Sequence, residues 1–276
     1  MKAKNLNFIF INLFFVAAVF FCIFTLLQGK STQSFLVISI FTIVIFLFSL
    51  WHSLIKFGLR NAFFFLIIAL LLSFAAEAIG VNFGYEFQGY YSYSGFLGAK
   101  ILNVPILVIL MWVSVIYISY QVSEHITNFR FKENTPFLQR FWISIWSALL
   151  TSLITVAWDL ALDPLAVSLK WWVWERGGEY FGVPTGNFIG WIIISFVIVF
   201  IFKLFFEKEQ LEKETVADYA PLICYTLLCF STIFLALSLE RTLFAFVAFV
   251  SMFPIISVMI VRLLVLQIGF PAQYKK

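Results

Sequence analysis

FWISIWSALLTSLITVAWDLALDP, residues 141–164, is an apolar run long enough to cross a bilayer, and it carries two aspartates near its end. A hydrocarbon core of about 30 Å requires roughly 20 apolar helical residues, and Asp159 lies about 18 residues into the run. A charged group costs about 2.5–3.5 kcal/mol at a helix centre and less near the boundary. Two readings of Asp159 follow: a boundary residue reaching outward to water, or a functional group facing a cavity. Asp163 also has two readings. It shares a face with Asp159, one turn on, if the helix continues. Alternatively, Asp163-Pro164 starts a new helix, with the aspartate as N-cap and the proline in the first turn. PLAVSLKWWVWE (164–175) then fits a short interfacial helix with Leu165, Leu169 and Trp172 along one stripe.

The rest of the chain has the same apolar character. Of 276 residues, 63% are hydrophobic and 12% charged, with a mean hydropathy of +1.01; soluble domains carry roughly 25% charged residues. Apolar runs at about 8–27, 35–52, 62–80, 104–122, 141–160, 187–206, 219–238 and 243–265 predict an all-α polytopic membrane bundle of about eight transmembrane helices. The chain, 1–276, is expected to form a single integral membrane domain. The first run follows Met1-Lys2-Ala3-Lys4 but lacks a small-residue cleavage site, so it reads as a retained helix. On this topology most lysines and arginines, Lys203 among them, fall on one side. Lys30, Lys100, Lys170, Arg176 and Arg241 fall on the other. The positive-inside rule then puts both termini in the cytoplasm.

The net charge of +4 reflects this topology and implies no nucleic-acid partner. EKEQLEKETVAD (207–218) reads as a solvated cytoplasmic helix extension. Cys22, Cys224 and Cys229 fall inside spans as small packing residues, and no CxxC spacing is present. His52 and His125 sit at helix ends on one side, which does not suggest a histidine-rich iron site. Neither a metal nor a redox cofactor is expected.

Unusual residues gather in two loops on the other side, within 77–191. EAIGVNFGYEFQGYYSYSGFLGAKILNVP (77–105) begins at Glu77. WDLALDPLAVSLKWWVWERGGEYFGVPTGNFIGW (158–191) begins beside Asp159. Each passes through glycines and aromatics to Val-Pro (Val104-Pro105, Val183-Pro184), and a tryptophan follows each proline by seven residues, Trp112 and Trp191. These matches suggest an internal repeat pairing helices three and four with five and six. Rings such as Tyr85, Tyr91, Tyr93, Trp158, Trp172, Tyr180 and Trp191 read either as an aromatic belt at headgroup level or as pocket walls offering π faces to a cation. Gly177, Gly178 and Gly182 permit tight turns. Asn187 reads as a helix cap or a polar pocket group.

The combination E-x-x-G-x-x-x-G-Y from Glu77, Y-x-Y at 91–93, W-D-x-x-x-D-P at 158–164, W-x-W at 172–174 and G-x-Y-F-G-V-P-x-x-N-F-x-G-W at 178–191 resembles the CruF-type carotenoid biosynthesis proteins. Asn103 stands where that pattern predicts a glycine. The resemblance implies a membrane hydratase that adds water to the terminal double bond of an acyclic carotenoid end, with Glu77, Asp159, Asp163 and Asn187 at matching positions. Its implied partners are the carotenoid, water, membrane lipids and other enzymes of the pathway.

Such a reaction needs a proton donor, stabilisation of a tertiary cation and an aimed water. A desolvated carboxyl favours its neutral form, which suits Asp159 or Glu77 as general acid, with a second carboxylate holding the water. The alternatives are a carotenoid cyclase or isomerase with the same acid chemistry, and a transporter or lipid-binding scaffold in which the acids relay protons or pack. A prenyltransferase is disfavoured because no second Asp-rich cluster is present.

Overall fold

The computed structural model describes residues 35–84, 89–132, 134–207 and 216–268, together with Asn12 and Ala17. Tyr85, Cys22, most of the expected first span and the middle of the 207–218 run lie outside the described residues. The elements are α1 (Phe35–Phe83), β1 (Tyr91–Tyr93), β2 (Lys100–Ile101), β3 (Val104–Pro105), α2 (Ile106–Thr127), α3 (Phe137–Ser168), β4 (Trp172–Trp174), α4 (Thr185–Phe205), α5 (Ala220–Ser238) and α6 (Thr242–Ile268). Among the described residues six helices are long and apolar enough to cross a membrane. The chain is a multi-pass membrane protein with an all-α bundle.

Six described helices stand against about eight expected, and the difference has two sources. The 8–27 run lies almost wholly outside the described residues, and two expected spans are joined in α1. At 1.5 Å per residue the 49 residues of α1 would reach about 70 Å as one rod, more than twice the hydrocarbon core. Gly58 breaks it, at φ 74° and ψ 164°, a conformation that only glycine adopts without strain. The two halves, 35–57 and 59–83, fold back on each other, since Ile38 and Thr42 near one end line the same cavity as Glu77 near the other.

The second half of α1 with α2, and α3 with α4, share a local pattern and meet at equivalent positions. Pro105 and Pro184 are both N-caps in extended conformation, at φ −66° and −64°. Each precedes its tryptophan, and Trp112 stacks on Trp191 with ring centroids 3.2 Å apart and planes 15° from parallel. β1 and β4 pair antiparallel about Ser92 and Val173. At the far end Lys203 meets Glu124 at 2.8 Å. Both contacts join positions 79 residues apart. The repeat suggested by the two Val-Pro steps thus corresponds to a spatial pairing.

Lys203, counted by position along the chain with the basic residues of one side, is buried in the bundle. It is 0% exposed and is enclosed by Glu124, Glu207 at 2.9 Å and the Tyr120 hydroxyl at 3.2 Å. A charge withdrawn from water in this way requires partners of opposite sign. The expectation of a solvated 207–218 extension is corrected at both described ends: Glu207 is buried against Lys203, and Asp218 pairs with Lys56. Cys224 and Cys229 are free and buried.

Asp163 is not an N-cap. α3 runs through Pro164 and ends at Ser168, so Asp159 and Asp163 share a face. Pro164 supplies no N–H for the carbonyl of Leu160 four residues back. The Tyr180 hydroxyl donates to that carbonyl at 3.1 Å instead. The expected interfacial helix over 164–175 does not form either. Trp171 N–H bonds the Ala166 carbonyl and Lys170 N–H that of Val167, with Lys170 at φ 55°. This paired closure ends the helix and turns the chain into β4. Tyr180→Phe is expected to lower stability by about 1–3 kcal/mol by leaving the Leu160 carbonyl without its donor, seen as a lower thermal midpoint of the detergent-solubilised protein.

Candidate active site

The ends of α1 and α3, the starts of α2 and α4 and the β1·β4 ribbon line a cavity of about 80 Å³. Glu77 enters from α1. Its Oε2 accepts the hydroxyls of Tyr91 and Tyr93, each at 2.6 Å, and its Oε1 accepts Trp112 Nε1 at 3.2 Å. Tyr91 and Tyr93 alternate inward along β1 around the exposed Ser92, as period-two geometry requires. Burial, reinforced by the neighbouring Glu77 charge, holds both tyrosine hydroxyls well above their ordinary range, so they remain protonated donors.

Asp163 Oδ1 accepts Trp172 Nε1 at 2.5 Å. Asn187 Nδ2 donates to Asp163 Oδ2 at 2.6 Å and to Asp159 Oδ2 at 3.2 Å, tying the two acids of α3 together. Asn187 lies in the first turn of α4 behind the Pro184 cap, so of its two sequence readings the structure supports the polar pocket group. Among the described residues Glu77 therefore receives three side-chain hydrogen bonds, Asp163 two and Asp159 one. All three acids are buried. No lysine, arginine or histidine is among the described residues lining the cavity.

The walls are aromatic. Trp158 meets Trp112 edge to face at 6.1 Å; Tyr91 packs on Trp174 at 4.5 Å and Tyr93 on Trp172 at 5.7 Å. The register Tyr91 to Trp174 and Tyr93 to Trp172 puts each tyrosine against an indole across the ribbon. Two glycine positions shape the return into α4. A Cβ on Gly178 would run into the backbone of Val183 and Pro184, and Gly182 sits at φ 88°, where a side chain is strained.

The structure thus brings Glu77, Asp159, Asp163, Tyr91, Tyr93, Trp158, Trp172, Asn187 and Trp191 to one cavity. Tyr180 is not among its lining residues; its hydroxyl serves the backbone of α3. The sequence reading passed over Ile38 and Thr42, which come from the far half of α1, and treated Trp112 only as a repeat position. Asn103, at φ 69° in the β2–β3 turn, occupies the left-handed region that asparagine tolerates better than most residues.

A family model described as "Carotenoid biosynthesis protein" matches residues 33–255. The chain belongs to that family. The matched range holds every acid and every described aromatic of the cavity. The bisanhydrobacterioruberin hydratase of Haloarcula japonica is 27% identical over 155 residues, covering 56% of this chain and 49% of that protein. The chain therefore spans about half the length of this relative. No solved structure matches.

In this carotenoid biosynthesis protein, Tyr91→Phe and Tyr93→Phe are each expected to lower stability by about 0.5–1.5 kcal/mol, the usual net worth of one hydrogen bond. Because both hydroxyls serve one oxygen, which keeps one of these donors in either single variant and neither in the double, the double variant should lose more than the sum of the two. Thermal unfolding of the four proteins in detergent measures it.

Proposed function

We propose that the chain is a carotenoid hydratase that protonates the terminal double bond of an acyclic carotenoid end and captures the resulting tertiary cation with water. The observation that carries this reading is the shared enclosure of three carboxyl groups by tryptophan and tyrosine, with no cation among the described lining residues. Three carboxyls so placed resist being ionised together, which favours keeping one as a proton donor. The family to which the chain belongs, and a distant relative named as a hydratase, agree with that chemistry.

Asp159 is the proposed general acid, since it receives the fewest hydrogen bonds and lies among Trp158, Trp191 and Asn187. Its proton adds to one alkene carbon, and positive charge develops on the neighbouring tertiary carbon. Indole faces stabilise that charge, by about 2 kcal/mol or more where water is excluded. Glu77, fixed by Tyr91, Tyr93 and Trp112, is the proposed acceptor of the proton that the attacking water releases. One water is added in total, and the acids return to their starting state once that proton is passed back to Asp159. The same apparatus would serve a cyclase if an internal double bond captured the cation instead. The polar Asn187-linked acids around the reacting position favour water.

Asp159→Asn is expected to abolish the hydrated product while leaving membrane insertion and thermal stability close to those of the parent. Expression in cells that accumulate lycopene or γ-carotene, with mass analysis of the pigments, measures it. A product heavier by one water supports hydration, an isomeric product of unchanged mass supports cyclisation, and full hydration by Asp159→Asn removes Asp159 from the acid role.

A further inference from the structure

A second cavity, of about 60 Å³, adjoins the acid chamber. Ile38, Met111, Trp158, Leu162 and Trp171 line both, so the two share a wall made of these five side chains. Beyond that wall the lining is Phe41 from the first half of α1 and Leu228, Ser231, Thr232 and Leu235 from α5. Only two of these carry polar atoms, and both are already satisfied within their own helix. Ser231 Oγ donates to the Leu227 carbonyl at 2.7 Å, and Thr232 Oγ1 to that of Leu228 at 2.8 Å. The hydroxyls therefore turn back on α5, leaving the gallery without a free polar group to fix a headgroup or a water chain. Its surface suits hydrocarbon.

We infer that this gallery between α1 and α5 holds the hydrocarbon arm of the substrate while its reacting end lies among Glu77, Asp159 and Asp163, and that Thr232 and Leu235 set the chain that fits. The inference rests on the hydratase reading and adds a location and a specificity determinant to it. A polyene is stiff and extended, so its arm must leave the acid chamber along a straight path. The side chains of Trp158 and Trp171 stand between the two chambers, so an arm that passes them enters the gallery, whose far part is lined by α5, which contributes nothing to the acid chamber. An arm seated there would also align the terminal double bond beside Asp159 by remote contacts, the usual way in which binding energy distant from the chemistry orients a reacting group.

The test compares two substrates on the purified full chain in lipid nanodiscs: an acyclic carotenoid, and a short isoprenoid hydrocarbon with the same terminal isopropylidene group. Thr232→Trp fills the gallery without touching the acids. It should lower kcat/KM for the carotenoid about tenfold or more, chiefly through KM, in line with the worth of one or two displaced methylenes, and change the short substrate by less than about twofold. Thr232→Leu, a smaller intrusion that keeps the fold safer, should shift the ratio in the same direction by less.

Equal loss on both substrates with either bulky variant overturns the gallery assignment, as does an unaffected carotenoid rate. A bulky variant whose sole effect is on thermal stability marks the gallery as a lipid-chain site and overturns it too. In these cases the parent still hydrates, so the proposed activity stands. A parent that hydrates neither substrate defeats the hydratase reading, and the gallery assignment with it.

Discussion

A carboxyl group withdrawn from water must find hydrogen-bond donors inside the protein, because an unmet acceptor in an apolar setting costs several kcal/mol. Around Glu77 that requirement organises much of the loop structure. Tyr91, Tyr93 and Trp112 all aim at one side chain, which fixes β1 against the end of α1 and against the start of α2. Asp163 does the same for β4 through Trp172. The ribbon between β1 and β4 is thus anchored at both edges by acids from opposite halves of the bundle. The buried acids and the ribbon that covers them stabilise one another.

The backbone of α3 meets a second version of the same constraint. Two acids one turn apart share a face only while the helix stays regular, yet Pro164 follows directly and removes a donor. The Tyr180 hydroxyl fills the vacancy at Leu160. A loop residue from the approach to α4 therefore maintains the geometry of two groups it does not touch, and Asn187, seven residues later, ties those groups together from α4.

Much of this was legible in the sequence because apolar length, buried acids and the Val-Pro steps are local signals. Seven of the expected spans fall in described helices, and nine proposed site residues line one cavity. What was not legible depends on contacts remote in the chain. Asp163-Pro164 carries an equally good local signature for a helix start, and only Tyr180, sixteen positions beyond the proline, decides against it. The positive-inside rule counts charges by position along the chain and says nothing of burial; Glu124, on a different helix, is what holds Lys203 in the interior. The ribbon joins loops some 80 residues apart whose strands are three residues long, too short to show an alternating pattern. The reversal near Gly58 was expected from the separate runs 35–52 and 62–80, but the share of the site contributed by Ile38 and Thr42 depends on how the first half of α1 packs beside Glu77, which a list of spans does not show.

Lys203 faces Glu124 across the contact between α2 and α4 and Glu207 one turn along its own segment. This buried cluster therefore holds two acids around one ammonium, and tolerance to replacement is unequal among its members. Loss of one glutamate leaves the lysine a counter-ion, whereas loss of the lysine strands both acids in an apolar setting.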